Sequence, residues 1–257
     1  MANLPLHISI LGAGNVATHL ARQFIKHPDI QLQQMYNRHI HKLKEFESTT
    51  EIIDKLEQLK PADIFIIALK DDVIGNVSQR LQTFDNLIVH TSGSVSINAL
   101  KVKRKGVFYP FQTFSKNKAI NNFKTIPVLI EANNTKDISL LKTLGKILSD
   151  KVQIVNSEQR KALHIAGVFA ANFVNHLYVE GAKILADNNL SFDLIKPLIT
   201  EVAQKVQTMP PAQAQTGPAV RHDFNIIANH LNFIKDEDQK KIYKTLTDSI
   251  IKNHPKS

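Results

Sequence analysis

Six residues, Gly12-Ala13-Gly14-Asn15-Val16-Ala17, constrain the fold of this chain more than any other stretch. They fit G-x-G-x-x-A and join an apolar, β-branched run at 7–11 to a segment at 15–26 in which Val16, Leu20 and Phe24 recur at helical spacing. A strand that turns on glycines into a helix opens a βαβ unit able to hold a diphosphate. Gly12 permits the tight turn, Gly14 lets the backbone approach phosphate without a Cβ, and Ala17 keeps helix and strand close. The first helical turn then offers unpaired N–H groups to anionic oxygens. Gly12, Ala13, Gly14, Asn15 and Val16 are therefore the expected phosphate-side contacts. The plain alternative is a glycine turn that holds nothing.

Beyond this turn, short β-branched runs alternate with helical stretches up to residue 155, which reads as α/β with a mostly parallel, doubly wound Rossmann sheet. Strands are expected at 7–11, 31–36, 64–68, 87–90, 106–109, 126–131 and 152–155, with a helix at 140–148. After Val155 only helical spacing remains. Ser157 is the expected N-cap of a proline-free helix of roughly 30 residues, which Asn188-Asn189 ends. A second helical region at 191–208 restarts at Pro197, a proline-containing loop follows at 209–221, and helices are expected at 224–233 and 236–253. The expected domains are a Rossmann domain at 1–156 and an all-helical domain at 157–257 for substrate binding and dimerisation.

The end of the second strand discriminates between cofactors. A carboxylate there would hold the ribose 2′-hydroxyl of NAD and repel a 2′-phosphate. This chain has Asn37 and Arg38 instead, with no acid between Asp29 and Glu45, and His39, His41 and Lys42 add positive character. Arg38 can pair with a 2′-phosphate and Asn37 can donate to it, so NADP is expected over NAD. Two more strand ends belong on the same edge. Ala68, Leu69 and Lys70 follow one, and Ser92 and Gly93 follow another, where they can touch the nicotinamide half or a substrate, or simply cap the next turn.

Net charge is +9, but the cationic residues are scattered and lack interleaved aromatics, so no nucleic-acid partner is expected. The chain has no cysteine, which excludes disulfides, thiolate metal sites and a cysteine nucleophile and fits a cytoplasmic setting; no metal is expected. No uninterrupted apolar run reaches the ~18–20 residues of a membrane span, and residues 1–6 lack a basic, apolar leader pattern, so no membrane partner is expected.

The long helix carries His164, Asn172, Asn175 and His176 among apolar residues. At 3.6 residues per turn, His164, Ala171 and Asn175 share a face and Asn172 and His176 flank it. Buried polar groups need partners, which a bound ligand or an interhelical network can supply. In the loop that follows, Gly217-Pro218 fixes a turn, Asp223 is a natural N-cap, and Arg221 can clamp a substrate carboxylate or pair with Asp223.

Three motifs carry a family resemblance. They are Tyr109-Pro110-Phe111-Gln112-Thr113-Phe114-Ser115, His164 with residues 168–177, and Gln215-Thr216-Gly217-Pro218-Ala219-Val220-Arg221-His222-Asp223. Together the chain resembles bacterial proteins with an N-terminal Rossmann-like domain and a C-terminal domain of unknown function 2520. The resemblance implies a helical domain like those of 6-phosphogluconate and β-hydroxyacid dehydrogenases, NADP-dependent oxidoreductase activity, and a homodimer formed through the helices. In β-hydroxyacid dehydrogenases a lysine precedes the Asn-Asn or Asn-His pair of the long helix by three residues; the matching position here is Asn172, which cannot transfer a proton as lysine does.

The expected function is hydride transfer between NADP(H) and a small, anionic carbonyl or imine substrate bound between the domains. His164, Asn172, Asn175 and His176 form its polar wall, and Ser92, Gly93 and Arg221 contact substrate. His164 or His176 would be the proton donor. The rival is a sensor or scaffold that binds NADP(H) without turnover.

Overall fold

The computed structural model describes residues 5–120 and 122–255. The expectation about a leader pattern at 1–6 therefore lies in part outside the described residues. Packing divides the chain between Phe169 and Ala170 into two compact units. The opening turns of the long helix thus belong with the sheet, while the sequence pattern changes at 156.

In the first unit, eight strands among the described residues form one sheet. These are β1 (Leu6–Leu11), β2 (Ile30–Tyr36), β3 (Glu51–Ile53), β4 (Ile64–Ile67), β5 (Leu87–His90), β6 (Lys105–Pro110), β7 (Val128–Ala132) and β8 (Val152–Ile154). Their order is β3-β2-β1-β4-β5-β6-β7-β8, and every neighbouring pair is parallel except β6 with β7. The chain runs outward from β1 to β3 and then returns to β4 on the other side of β1. That reversal opens a crevice beyond the carboxyl ends of β1 and β4, the usual ligand position of such a sheet.

β4 and β5 are buried along their whole length, because both faces of the sheet are covered. Alternate residues feed two cores. Ile8, Ile10, Ile64 and Ile66 pack with Leu20 and Phe24 of α1 (Asn15–Phe24). Leu11, Phe65 and Ile67 pack on the opposite face with Ile74 of α2 (Ile74–Gln79). On the far side, α3 (Thr135–Leu148) starts five residues before its apolar stretch, because Asn134 caps it by accepting from the Asp137 amide at 2.9 Å.

Asn156, not Ser157, caps α4 (Ser157–Gly167). Its side chain accepts from Gln159 N at 2.8 Å, and the Gln159 side chain accepts from Asn156 N at 3.0 Å. This reciprocal box satisfies two donors at once. Ser157 is unavailable for capping because its hydroxyl is bonded to Glu131 of β7.

After α4 the chain winds as a π-helix over Val168–Phe173 before α5 (Val174–Asp187). A π turn holds more residues than an α turn. The uniform 3.6-residue arithmetic used to place His164 on one face with Ala171 and Asn175 therefore does not carry across it. By length and composition the helical run Ser157–Asp187 is apolar enough to cross a membrane, with mean hydropathy 1.2 over its most apolar window, although no uninterrupted apolar stretch does so.

The second unit continues through α6 (Lys196–Thr208), a short α7 (Pro211–Ala214), α8 (Phe224–Phe233) and α9 (Glu237–Asn253). Asn189 ends α5 in a left-handed conformation with φ 56°, as the Asn-Asn pair leads one to expect. Pro197 lies in the first turn of α6, where its missing N–H is harmless. Asp223 and Asp236 cap α8 and α9 by accepting from Ile226 N and Gln239 N. Buried Glu180 of α5 accepts from Lys183 Nζ at 2.7 Å and from Gln239 Nε2 of α9 at 2.9 Å, which ties these two helices together.

Candidate active site

The glycine turn sits where β1 meets the crevice. Gly12 has φ +139°, and a Cβ on it would collide with the carbonyl oxygen of Ala68 at the end of β4. Its role is thus a close crossing of two strand ends as much as a tight turn. Around Gly14 the space is open: a Cβ there would meet no atom within 4 Å, and no side chain caps the helix that follows. The first amide groups of α1 therefore face open space, as a diphosphate requires. The Asn15 side chain is occupied elsewhere, donating to Phe114 O at 2.8 Å. With His19 against Ser115 O and Arg22 donating to Lys116 O, it fastens the loop after β6 along α1.

Two clefts run along the carboxyl ends of the strands. The first, of about 460 Å³, is lined by Asn37, Arg38, His39, Lys42 and Arg80, with Leu69 and Lys70. Its walls are cationic. Asn37 accepts from His39 N at 2.9 Å through its side-chain oxygen, which leaves its amide hydrogens to donate. The second, of about 610 Å³, is lined by Ala13, Gly14, Asn15 and Val16, by Ala68 to Asp71 and Thr91 to Ser94, and by Tyr109, Gln112, Phe114 and His164. Asn37, Lys42, Leu69 and Lys70 line both clefts, so they form one continuous groove. Its cationic end and the open space above Gly14 fit NADP.

At the β5 end of the groove the polar groups are closely interlocked. Ser92 is buried; its hydroxyl accepts from Ser94 N and Val95 N at 3.1 Å, and its amide donates to His90 Nδ1 at 3.1 Å. The hydroxyl thus serves the turn, although the residue still lines the groove. Because Nδ1 of His90 accepts, its proton is on Nε2. Burial, assisted by the nearby charge of Arg160, pushes the His90 imidazolium down to about 3. Gly93 faces the His164 and Tyr109 rings, and Tyr109 Oη lies 3.0 Å from His164 Nδ1.

Arg160 of α4 is completely buried. Its guanidinium pairs with Glu131, and it donates to the carbonyls of Val95 and, at 3.2 Å, Ser92. Glu131 also accepts from the Ser157 amide at 3.1 Å. One ion pair thereby fixes the turn after β5 to both α4 and β7, with most of its hydrogen-bonding capacity used.

The structure thus gathers the expected residues of the first unit along the groove, together with His164, except Gly12, which lines neither cleft and sits against the Ala68 backbone. Asn172, Asn175, His176 and Arg221 belong to the second unit, where all four are exposed. His176 Nε2 lies 3.7 Å from Glu180, and Arg221 makes no ion pair among the described residues. Tyr109 and Arg160 carry no local sequence signal of a site. Tyr109 belongs to a quoted motif but reads as a strand residue, and Arg160 as an ordinary charged residue near a helix start.

Comparison with other proteins divides the chain earlier than packing does, before β7. The family described as NADP oxidoreductase, coenzyme F420-dependent, matches residues 7–92, and domain of unknown function 2520 matches residues 126–250. The crystal structure of BF3122 from Bacteroides fragilis, described as a candidate NADP oxidoreductase, is 39% identical, with a TM-score of 0.89, over 96% of this chain and 98% of that one. The chain belongs to the same family as BF3122. Its expected class, oxidoreductase, and its expected cofactor, NADP, agree with the family. TM1727 from Thermotoga maritima shares the fold at 22% identity, with a TM-score of 0.75, over 96% of this chain and 98% of that one. A reductive aminase from Aspergillus terreus, solved with NADPH and ethyl-5-oxohexanoate, shares it at 11% identity, with a TM-score of 0.69, over 96% and 94%. No curated protein matches the chain.

Proposed function

We propose that this family member reduces the C=O or C=N bond of a small, anionic substrate at the expense of NADPH. The observation that carries the reading is the continuous groove, cationic around Arg38 and Lys42, open above Gly14, and closed at its other end by Ser92, Gly93, Tyr109 and His164. When bound, NADPH supplies the hydride.

The chain's own residues supply position and charge. Backbone amides at the start of α1 hold the diphosphate, Arg38 and Asn37 hold the 2′-phosphate, and the ends of β4 and β5 flank the nicotinamide half. His164 is assigned to the polar wall near the reacting atoms. From the second unit, Asn172, Asn175 and His176 are assigned as hydrogen-bonding groups, and Arg221 as the cation for a substrate carboxylate. Asn172 stands where the resemblance puts a lysine in β-hydroxyacid dehydrogenases, which favours an imine, whose protonated form already attracts hydride, over an alcohol–ketone pair.

The homodimer belongs to the same proposal. Leu194, Leu198, Val202 and Val206 are spaced four apart along α6 and the turn before it, and all are exposed. Such a stripe suits burial against a second copy of the chain.

The test is NADPH oxidation with a panel of small 2-oxo acids and cyclic imines, beside calorimetric titration of NADPH and NADH. The reading expects tight NADPH binding and turnover on at least one member. Binding without turnover on any of them favours the sensor or scaffold.

A further inference from the structure

Tyr109, next to last in β6, belongs to a buried cluster with Ile97, Val107, Leu129 and Val155 and lies beside Phe111, so its hydroxyl is the one polar atom of a buried side chain. That hydroxyl lies 3.0 Å from His164 Nδ1, and both side chains line the groove beside Ser92 and Gly93. Gly93 is what makes the arrangement possible. A Cβ there would lie 2.8 Å from His164 Cγ and 2.9 Å from Tyr109 Cζ, so any other residue would push the pair aside.

Among the described residues lining this cleft, the other ionisable side chains are Lys42, Lys70 and Asp71, all exposed. Lys42 and Lys70 also line the cationic cleft that takes the phosphates. Among these, Tyr109 with His164 is the only pair that is hydrogen-bonded and at the β5 end.

We propose that Tyr109 is the acid that gives the proton to the substrate atom and that His164 is the group that resupplies it. This rests on the hydride-transfer reading. As the substrate carbon gains the hydride, the π pair of C=O, or of a C=N that arrives unprotonated, moves to oxygen or nitrogen and forms a bond to the phenolic proton, and the Oη–H bond breaks. The phenolate takes the proton from His164 Nδ1 while Nε2 takes one from solvent, the single proton that the overall reduction consumes. The substrate is reduced, and the two electrons come from NADPH. With its proton on Nδ1, the imidazole donates to Oη and leaves the phenolic hydrogen free for the substrate. Burial, reinforced by Asp71 and opposed by Arg160, raises Tyr109 above the ordinary phenol value, so it carries its proton throughout the neutral range. His164, Arg160 and Asp71 are the ionisable groups that bear on it.

Tyr109→Phe keeps the ring and its packing, and is the decisive variant. Its NADPH affinity, read by fluorescence titration, should equal the wild type, while NADPH oxidation with 2-oxo acids and cyclic imines should fall at least about 100-fold, the usual contribution of a general acid. His164→Ala should lose less and recover in part with added imidazole. A substrate-free readout is the nitrogen resonance of His164 Nδ1, which should move in Tyr109→Phe. Full turnover in Tyr109→Phe, or an unmoved His164 resonance, overturns the pair alone. Wild-type protein that oxidises NADPH with no member of the panel overturns the hydride-transfer reading and the acid with it.

Discussion

At the scale of single residues, Arg38 and His90 make opposite uses of charge. Arg38 is exposed at the end of β2 and free to meet a phosphate. A charge-assisted hydrogen bond contributes about 1.5–3 kcal/mol, so Arg38→Ala should weaken NADPH binding about 10- to 100-fold and leave NADH unchanged, as calorimetry would show. His90 is buried as a neutral base. Its folded value of about 3 lies below the unfolded value of 6.5, so the unfolded chain binds the extra proton between them. Stability from this residue is therefore complete above 6.5 and is lost as pH falls from 6.5 toward about 3. Urea midpoints at neutral and mildly acidic pH should separate in the wild type, and the gap should narrow in His90→Gln. Neither Tyr109 nor His90 is legible as a site residue in the sequence, because burial and the distant α4 residues His164 and Arg160 set them. The Gly12, Gly14 and Arg38 assignments are legible because their chemistry is local to one turn and one strand end.

At the scale of elements, the cross-tie through Arg160 is the feature that most determines the site. Removing one partner of a buried pair leaves the other charge unmatched and costs about 3–5 kcal/mol. Arg160→Met should lower stability by that amount in denaturant unfolding, and Glu131→Leu added to it should recover part of the loss. The partners are far apart in sequence, which is why periodicity and capping rules do not reveal them. The same rules work where the information is local: the α8 boundaries agree with apolar spacing, and β5 with a short β-branched run. They fail on β3, whose three residues are too few to show alternation, on the α4 cap, where two neighbouring polar residues compete, and on the π turn, whose period no α-helical pattern anticipates.

At the scale of the whole molecule, the exposed stripe from Leu194 to Val206 bears on assembly. Light scattering should give twice the chain mass for the wild type, and Leu198→Lys should shift it toward the monomer without changing the helical circular dichroism. The α/β class and the change to helices are visible in the sequence because each depends on period alone, whereas association depends on which apolar side chains the packed chain leaves uncovered.

The groove itself has a consequence for ligand design. Since Asn37, Lys42, Leu69 and Lys70 border both of its parts, the two halves of a dinucleotide are read by different strand ends across one shared seam. Adenosine 2′,5′-bisphosphate and nicotinamide mononucleotide should then dock side by side as separate fragments. Joining them confines the second fragment near its own seat, so the intact molecule should bind more tightly than either, a chelate effect set by the span of the pyrophosphate link.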